Sequence, residues 1–392
     1  MKKLFTFSIL TYLLFIINTN AVGQNNADSS NENNNILKIG VLVPLSGEFK
    51  QIGHSVLRAI QMAVYDLNNK NIIIYPKDNK NNAVDTYLAA KEFENLGIKI
   101  VIGPIFYENL KRLNNINGIN FISLTNKTQN LPKNVVAFGI NVESQMKAIT
   151  KYLEEKQITK TILLLPESDF TSQIQPIIKN NNFKFFKTYS YNTDPEKITK
   201  EVEKITNYRQ RKINLKSRIK KLEKSELEKD KRELEMLKER YTLGDISFNS
   251  VLVADFGESL KSVLTSFIYT DVSNENVQFF TFNQWFDESL FNEKSFQNLI
   301  FPGINLKNFN KFNKKYYKKF REQAIEISIL AYDALGLIYL IWNQNKSNFK
   351  IEKISTKEGF KGLHGKFIIK NNLSHQKLQI YQIINKKFVK VN

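Results

Sequence analysis

The chain contains no cysteine, only three histidines and two tryptophans, and eight prolines in 392 residues. Without cysteine there is no disulfide, no thiol nucleophile, no cysteine-ligated zinc and no lipid-modified cysteine behind an export signal. His54, His364 and His375 lack metal-ligand spacing, so they read as surface or capping residues and no metal is expected. A glycine-rich phosphate loop and a nucleophile elbow are both missing, so no catalytic residue and no cofactor are assigned, and the chain reads as a non-enzyme. Acid is scarce beside base: 38 Asp and Glu stand against 57 Lys and Arg, a net charge of +19 that falls to +17 without Lys2 and Lys3. Such a balance favours acidic partners. Stretches such as Asn31 to Asn35 and Asn79 to Asn82 trace part of it to a general bias toward Lys and Asn, and no nucleic-acid partner is expected of an exported chain.

What is present begins with an export layout: Lys2 and Lys3, an apolar run from Leu4 to Ile17, then Thr19, Asn20 and Ala21. This predicts a signal peptide over 1–21 and a periplasmic mature chain, with an uncleaved anchor as the alternative use of the same residues. Residues 22–35 are polar and aperiodic and read as a flexible leader. From Ile36 the pattern alternates strand and helix. Apolar runs at Ile39 to Val43, Ile72 to Tyr75, Lys99 to Ile102 and Phe121 to Leu124 are separated by helical periodicities, the last of them carrying Leu110, Leu113 and Ile116. A second series follows, with an apparent crossover at Val135 to Ile140, a helix over Met146, Ile149 and Leu153, and strands at 161–165, 183–189, 250–254, 277–282 and 299–301. So many strands exceed one compact open sheet.

The expected architecture is therefore α/β, with two Rossmann-like lobes: lobe one over 36–140 plus 277–305, and lobe two over 141–276 plus 306–392. Between Pro195 and Leu243 the composition changes to a charged helical hairpin with a break near Lys224 and Ser225, giving an arm over 196–240 inserted in lobe two. Residues 209–240 carry 13 Lys or Arg against 7 Asp or Glu, so the arm is a self-paired solvated hairpin or a docking arm for an acidic partner. The run Ile325 to Trp342 is apolar, but Glu326 and Asp333 fall inside it, which predicts a buried core helix and no membrane span once the signal is removed. The stretch from Gly359 to Val391 alternates around Asn371 and Asn372 and reads as a terminal hairpin.

Candidate ligand residues follow from where open α/β sheets bind, the carboxyl ends of their strands. Ser46 and Gly47 follow the first strand, Gly103 the third, Ser123 and Thr125 the fourth, and Asp255 sits in the corresponding loop of the second lobe. Hydroxyls and backbone donors there suit a carboxylate, and Asp255 suits an ammonium group, so an amino-acid-like ligand fits.

The sequence from Ile39 to Gly47, followed by Gly53 and a helix ending in Ala63 to Asn68, resembles the opening of the leucine-binding-protein family of periplasmic receptors, the type I periplasmic-binding-protein fold. Val101 to Pro104, Ala331 to Ala334 and Gly362 to Phe367 resemble later landmarks of that family. Within it, Leu124-Thr125-Asn126, Phe138-Gly139-Ile140 before Glu143-Ser144-Gln145, and the arm ending Arg240 to Gly244 are most similar to the penicillin-binding-protein activators. That likeness implies a regulator whose partner is a cell-wall synthase, a penicillin-binding protein. The wider family implies instead a solute receptor whose partner is the permease of an ABC transporter.

Overall fold

The computed structural model describes residues 36–283 and 293–391. The expected signal peptide and leader lie outside the described residues.

Two sheets organise the chain. The first is built from β1 (Leu37–Val43), β2 (Ile72–Asp78), β3 (Ile100–Ile102), β4 (Asn120–Ser123), β5 (Val135–Ala137), β11 (Phe360–Lys361), β12 (Lys366–Lys370) and β13 (Leu373–Lys377), in the order β11-β12-β13-β5-β4-β3-β1-β2. From β2 to β13 each neighbouring pair is parallel, and β12 and β11 close that edge antiparallel. The second contains β6 (Thr161–Pro166), β7 (Lys187–Tyr191), β8 (Ser250–Val253), β9 (Gln278–Thr281), β10 (Ile300–Gly303), β14 (Gln379–Ile384) and β15 (Lys387–Lys390), in the order β15-β14-β10-β9-β8-β6-β7. Central strands are buried along their whole length because helices cover both faces: all six residues of β6 and all four of β8 are buried, and their leading Thr161 and Ser250 hydroxyls bond each other at 2.6 Å.

Helices α1 (Lys50–Leu67), α2 (Ala83–Asn95), α9 (Leu306–Phe320) and α10 (Ile327–Gln344) belong to the first lobe; α3 (Val142–Glu155), α4 (Asp169–Asn180), α5 (Pro195–Ile205) and α8 (Gly257–Tyr269) cover the second. Helix α10 is long and apolar enough to cross a membrane, yet 67% of it is buried, and Val56, Ala59, Ile60 and Ala63 of α1 share its core cluster. It is the core helix the interrupting acids predicted. Each fully buried Leu or Ile on it contributes roughly 1.5–3 kcal/mol.

The two-lobed α/β architecture agrees with the sequence expectation, but the lobe boundaries are corrected. The stretch 277–305 does not return to lobe one: β9 and β10 extend the second sheet parallel to β8. Conversely 306–377 does not belong to lobe two, because α9, α10 and β11 to β13 complete the first. Apolar strand patterns state that a strand is buried and leave open which sheet receives it. The terminal stretch is likewise two hairpins, β12–β13 on lobe one and β14–β15 on lobe two, joined at Leu378. The chain thus passes between lobes at 138–141, at 304–305 and at Leu378. Gln376 fastens two of these passages together, its Nε2 donating to Phe138 O and Gly139 O at 3.0 and 3.1 Å.

Two local expectations also change. The helix expected around Leu110 to Ile116 is a pair of short 3-10 turns, Tyr107–Leu110 and Leu113–Asn115, because Asn114, Asn115 and Gly118 favour turns. Asn134 Nδ2 satisfies the carbonyls of Leu113, Ile116 and Ile119 there. The arm is shorter than 196–240, since Ile198 and Val202 of α5 are buried in the lobe-two core. The hairpin proper is α6 (Tyr208–Leu222) and α7 (Glu228–Lys238), with a seam of Leu215, Leu222 and Leu237 and a two-pronged Arg218–Glu233 pair at 2.8 and 2.6 Å.

Candidate functional site between the lobes

The loops after β3, β4 and β5 meet the start of α10 around a cavity of about 280 Å³ lined mainly by Ile105, Phe106, Leu124, Ile140, Ile327 and Leu330. It adjoins a second space of about 310 Å³ that reaches lobe two at Phe170, Phe256 and Asn283 and shares Asn126 and Ile140 with the first. This is the interlobe cleft.

The expected ligand residues meet different fates. Ser123 is fully buried and its hydroxyl is used internally, donating to Pro104 O at 2.7 Å and accepting from Thr125 N at 3.2 Å. It ties the third-strand loop to the fourth, so its expected role as a ligand donor is corrected to that of a loop clasp. Gly103 serves the same loop: its φ is +107°, and a Cβ there would lie 2.1 Å from Leu42 O. Ser46 and Gly47 are exposed, outside the cavity lining. Asp78 engages Ser46: burial alone would raise its carboxyl, but the Ser46 hydroxyl and the N–H groups of Lys80, Leu45 and Ser46 hold it below the usual carboxylate range. The strand-end loop is thereby fixed. Asp255 accepts from the Tyr191 hydroxyl and from Phe256 N at 2.8 Å, and it is not among the residues lining either space. Burial, then Asp255, pushes the Tyr191 phenol up, so that proton stays on tyrosine. Thr125 alone of the six lines the cavity, its Oγ1 accepting from Lys127 N at 3.2 Å.

Sequence reasoning missed Glu326 as a site residue. It lines the cavity half-buried, and its Oε1 accepts from Asn283 Nδ2 at 3.0 Å, an acid of lobe one joined to an amide of lobe two. Asn283 N in turn donates to Gln145 Oε1 at 2.6 Å. Burial pushes the Glu326 carboxyl up to about 7 against the smaller pull of the Asn283 bond. The available signal was an acid at the head of an apolar helix, which membrane reasoning used only to exclude a span.

An acid whose folded pKa lies above its unfolded value of 4.5 destabilises the fold as pH rises from there to about 7. Glu326→Gln keeps an acceptor for Asn283 and removes that loss. With solvent screening discounted, the variant is expected to be more stable than the parent by about 1–3 kcal/mol above pH 7 and equal to it near pH 4. Urea unfolding at the two pH values checks this, and a gain of the same size at both would show that ionisation is not its cause.

Among the described residues no group of three or more His, Asp or Glu is placed to hold a metal ion.

A family model described as periplasmic binding protein matches residues 36–185. No curated protein matches the sequence. Among solved structures, the C-domain of LpoA from Haemophilus influenzae, described as a regulator of PBP1A, aligns over 91% of this chain and 100% of its own, with 16% identity and a TM-score of 0.61. The full-length protein aligns over 59% of its length. A branched-chain amino-acid ABC transporter periplasmic ligand-binding protein from Burkholderia xenovorans aligns over 91% and 94%, with 10% identity and a TM-score of 0.67. The leucine-binding protein LivK from Thermotoga maritima aligns over 91% and 98%, with 12% identity and a TM-score of 0.58. These neighbours are binding and regulatory proteins, and they share with this chain its paired sheets. The chain has the two-lobed fold of the type I periplasmic binding proteins.

Proposed function

We propose that this chain is a non-enzymatic periplasmic regulator that binds a cell-wall synthase of the penicillin-binding class, as the similarity to the LpoA C-domain suggests, through its charged arm. The observation that carries the reading is the occupation of the polar groups at the strand ends. Ser123 is bonded internally, Asp255 holds Tyr191, and Ser46 serves Asp78, so three of the groups that would grip an amino acid maintain loop structure instead. The arm, by contrast, presents its basic face to solvent, with Ile213, Leu227, Met236 and Tyr241 exposed on or beside it. Apolar residues among cations suit an acidic surface with an apolar centre. The test is binding of the purified chain to a PBP1A-type synthase, compared with a variant in which 214–239 are replaced by a short glycine–serine linker. The linker variant is expected to bind at least about tenfold more weakly. Equal binding would remove the arm from the reading.

One observation favours a second reading, a receptor for an amino-acid-like solute that delivers to the permease of an ABC transporter. The cavity pairs an apolar wall with Thr125 and Glu326, and this moves the ammonium partner from Asp255 to Glu326. A ligand at a hundredfold over its Kd would stabilise the chain by about 2.7 kcal/mol. Thermal unfolding against a panel of amino acids checks this, and stabilisation that Glu326→Ala abolishes would put the solute receptor first.

A further inference from the structure

A recess of about 670 Å³ outside the cleft lies where α3 faces the strands around the Leu378 passage, and it shares no lining residue with the interlobe spaces. Six lysines line it against one acid: Lys147 and Lys151 of α3, Lys361, Lys366 and Lys377 of the lobe-one strands, Lys390 of β15, and Glu155. Lys147 pairs with Glu143 and Lys151 with Glu155 at 3.4 Å. Lys361, Lys366, Lys377 and Lys390 make no ion pair with any described residue, whereas lysines of α2, α3 and α7 pair with acids one turn away. Unpaired lysines occur elsewhere on the surface too, Lys216, Lys220 and Lys224 of the arm among them; these four are set apart by coming from strands of both lobes to one recess.

The wall of the recess carries a second signal. His364 is 2% exposed, and its Nδ1 sits 2.5 Å from Asp333 Oδ2, which fixes the ring with Nε2 on the far side. Among the described residues Nε2 has no hydrogen-bond partner, and neither has Oε1 of Gln376, a residue 6% exposed that also lines the recess. Buried polar atoms without partners are rare in folded proteins and call for an explanation. Both residues are held rigidly by other bonds, Gln376 through Nε2 to Phe138 O and Gly139 O, so neither orphan is relieved by rotating away. A multivalent oxyanion supplies the countercharge that these lysines lack.

We propose that this recess is a binding site for a small multivalent oxyanion, of the phosphate or polycarboxylate kind, gripped across the interlobe passage by Lys361, Lys366, Lys377 and Lys390. The site is independent of the cleft and of the arm reading. Because its cations come from strands of both lobes, occupancy fixes their relative position.

Isothermal titration of the chain with inorganic pyrophosphate and with citrate, at physiological ionic strength, tests this. The triple variant Lys366→Gln, Lys377→Gln, Lys390→Gln changes only exposed side chains and is expected to weaken binding at least about tenfold. A control with the same net charge, Lys216→Gln, Lys220→Gln, Lys224→Gln on the arm, is expected to bind as the parent does. Equal losses in the two variants would assign the binding to overall charge and overturn the site, as would the absence of binding by either anion. Flotation with phosphatidylglycerol vesicles separates the sources of the anion: capture by vesicles without binding of pyrophosphate or citrate would make the surface a membrane contact and overturn the small-anion site.

Discussion

Asp333→Ala is expected to destabilise lobe one by about 3–5 kcal/mol. The carboxylate lies in the middle of the apolar helix α10, 7% exposed, and accepts three bonds from the turn before β12: Leu363 N at 2.9 Å, His364 N at 2.8 Å and His364 Nδ1 at 2.5 Å. Removing it strands two buried donors and one half-buried donor, which costs more than the three bonds contribute net. The turn has no other way to approach, since a Cβ on Gly362 would stand 2.4 Å from Asp333 Oδ2. His364 is also packed, its ring stacked on Phe367 at 5.0 Å and edge-on to Phe138 at 5.8 Å, so losing its anchor disturbs the end of the first sheet. Urea unfolding read by amide exchange in β12 and β13 measures the effect, because a two-lobed chain need not unfold as one unit. A loss under about 1 kcal/mol would mean that water replaces the carboxylate and that the pair is not structural.

Arg211→Ala is expected to cost about 2–4 kcal/mol locally and to release the arm from lobe two. Arg211, 7% exposed at the root of α6, donates to Gly244 O at 3.2 Å, Thr270 O at 3.1 Å, Thr242 Oγ1 at 2.6 Å and Asp271 O at 3.3 Å, with Asp271 Oδ2 at 3.8 Å. Burial pulls the guanidinium down from its ordinary value while Asp271 and Asp245 oppose that, and an arginine so placed stays charged. The fork reaches acceptors on the arm's return and on the end of α8, so one side chain locks three segments. Lysine offers a single point charge and is expected to rescue little. The readout is trypsin cleavage at the arm's lysines, expected to speed up by about tenfold or more while unfolding of the rest of lobe two is unchanged. Unchanged cleavage would show that the seam of Leu215, Leu222 and Leu237 holds the arm without its anchor.

Much of the fold was legible from local pattern. The apolar runs of β1, β6 and β8 and the amphipathic stretch of α1 announced a parallel sheet covered on both sides, because burial on both faces leaves no room for polar alternation. The hairpin break, the core nature of α10 and the placement of loops at strand ends followed from the same logic. The paired lobes followed from a strand count too large for one compact open sheet. Helix α4 escaped because Pro176 lies inside it and only Ile174 is buried, so it carries little periodic signal.

The candidate site was much less legible. Ser123 and Thr125 look equivalent in sequence, two hydroxyls at one strand end, yet Ser123 lies under the loop and Thr125 on the cavity wall. His364 and His375, expected at the surface or in caps, part in the same way: His364 is locked on Asp333 inside the lobe, and burial lowers the pKa of His375 against the pull of Glu143. Composition and periodicity by themselves determined a chain without cysteine, two α/β lobes and a basic helical hairpin, since these depend on residue type and spacing along the chain. Which sheet received 277–305, which polar groups were already bonded, and how Glu326 and the six lysines of the recess came together were decided only by the tertiary structure. Those facts depend on contacts between residues far apart in sequence, to which local pattern is blind.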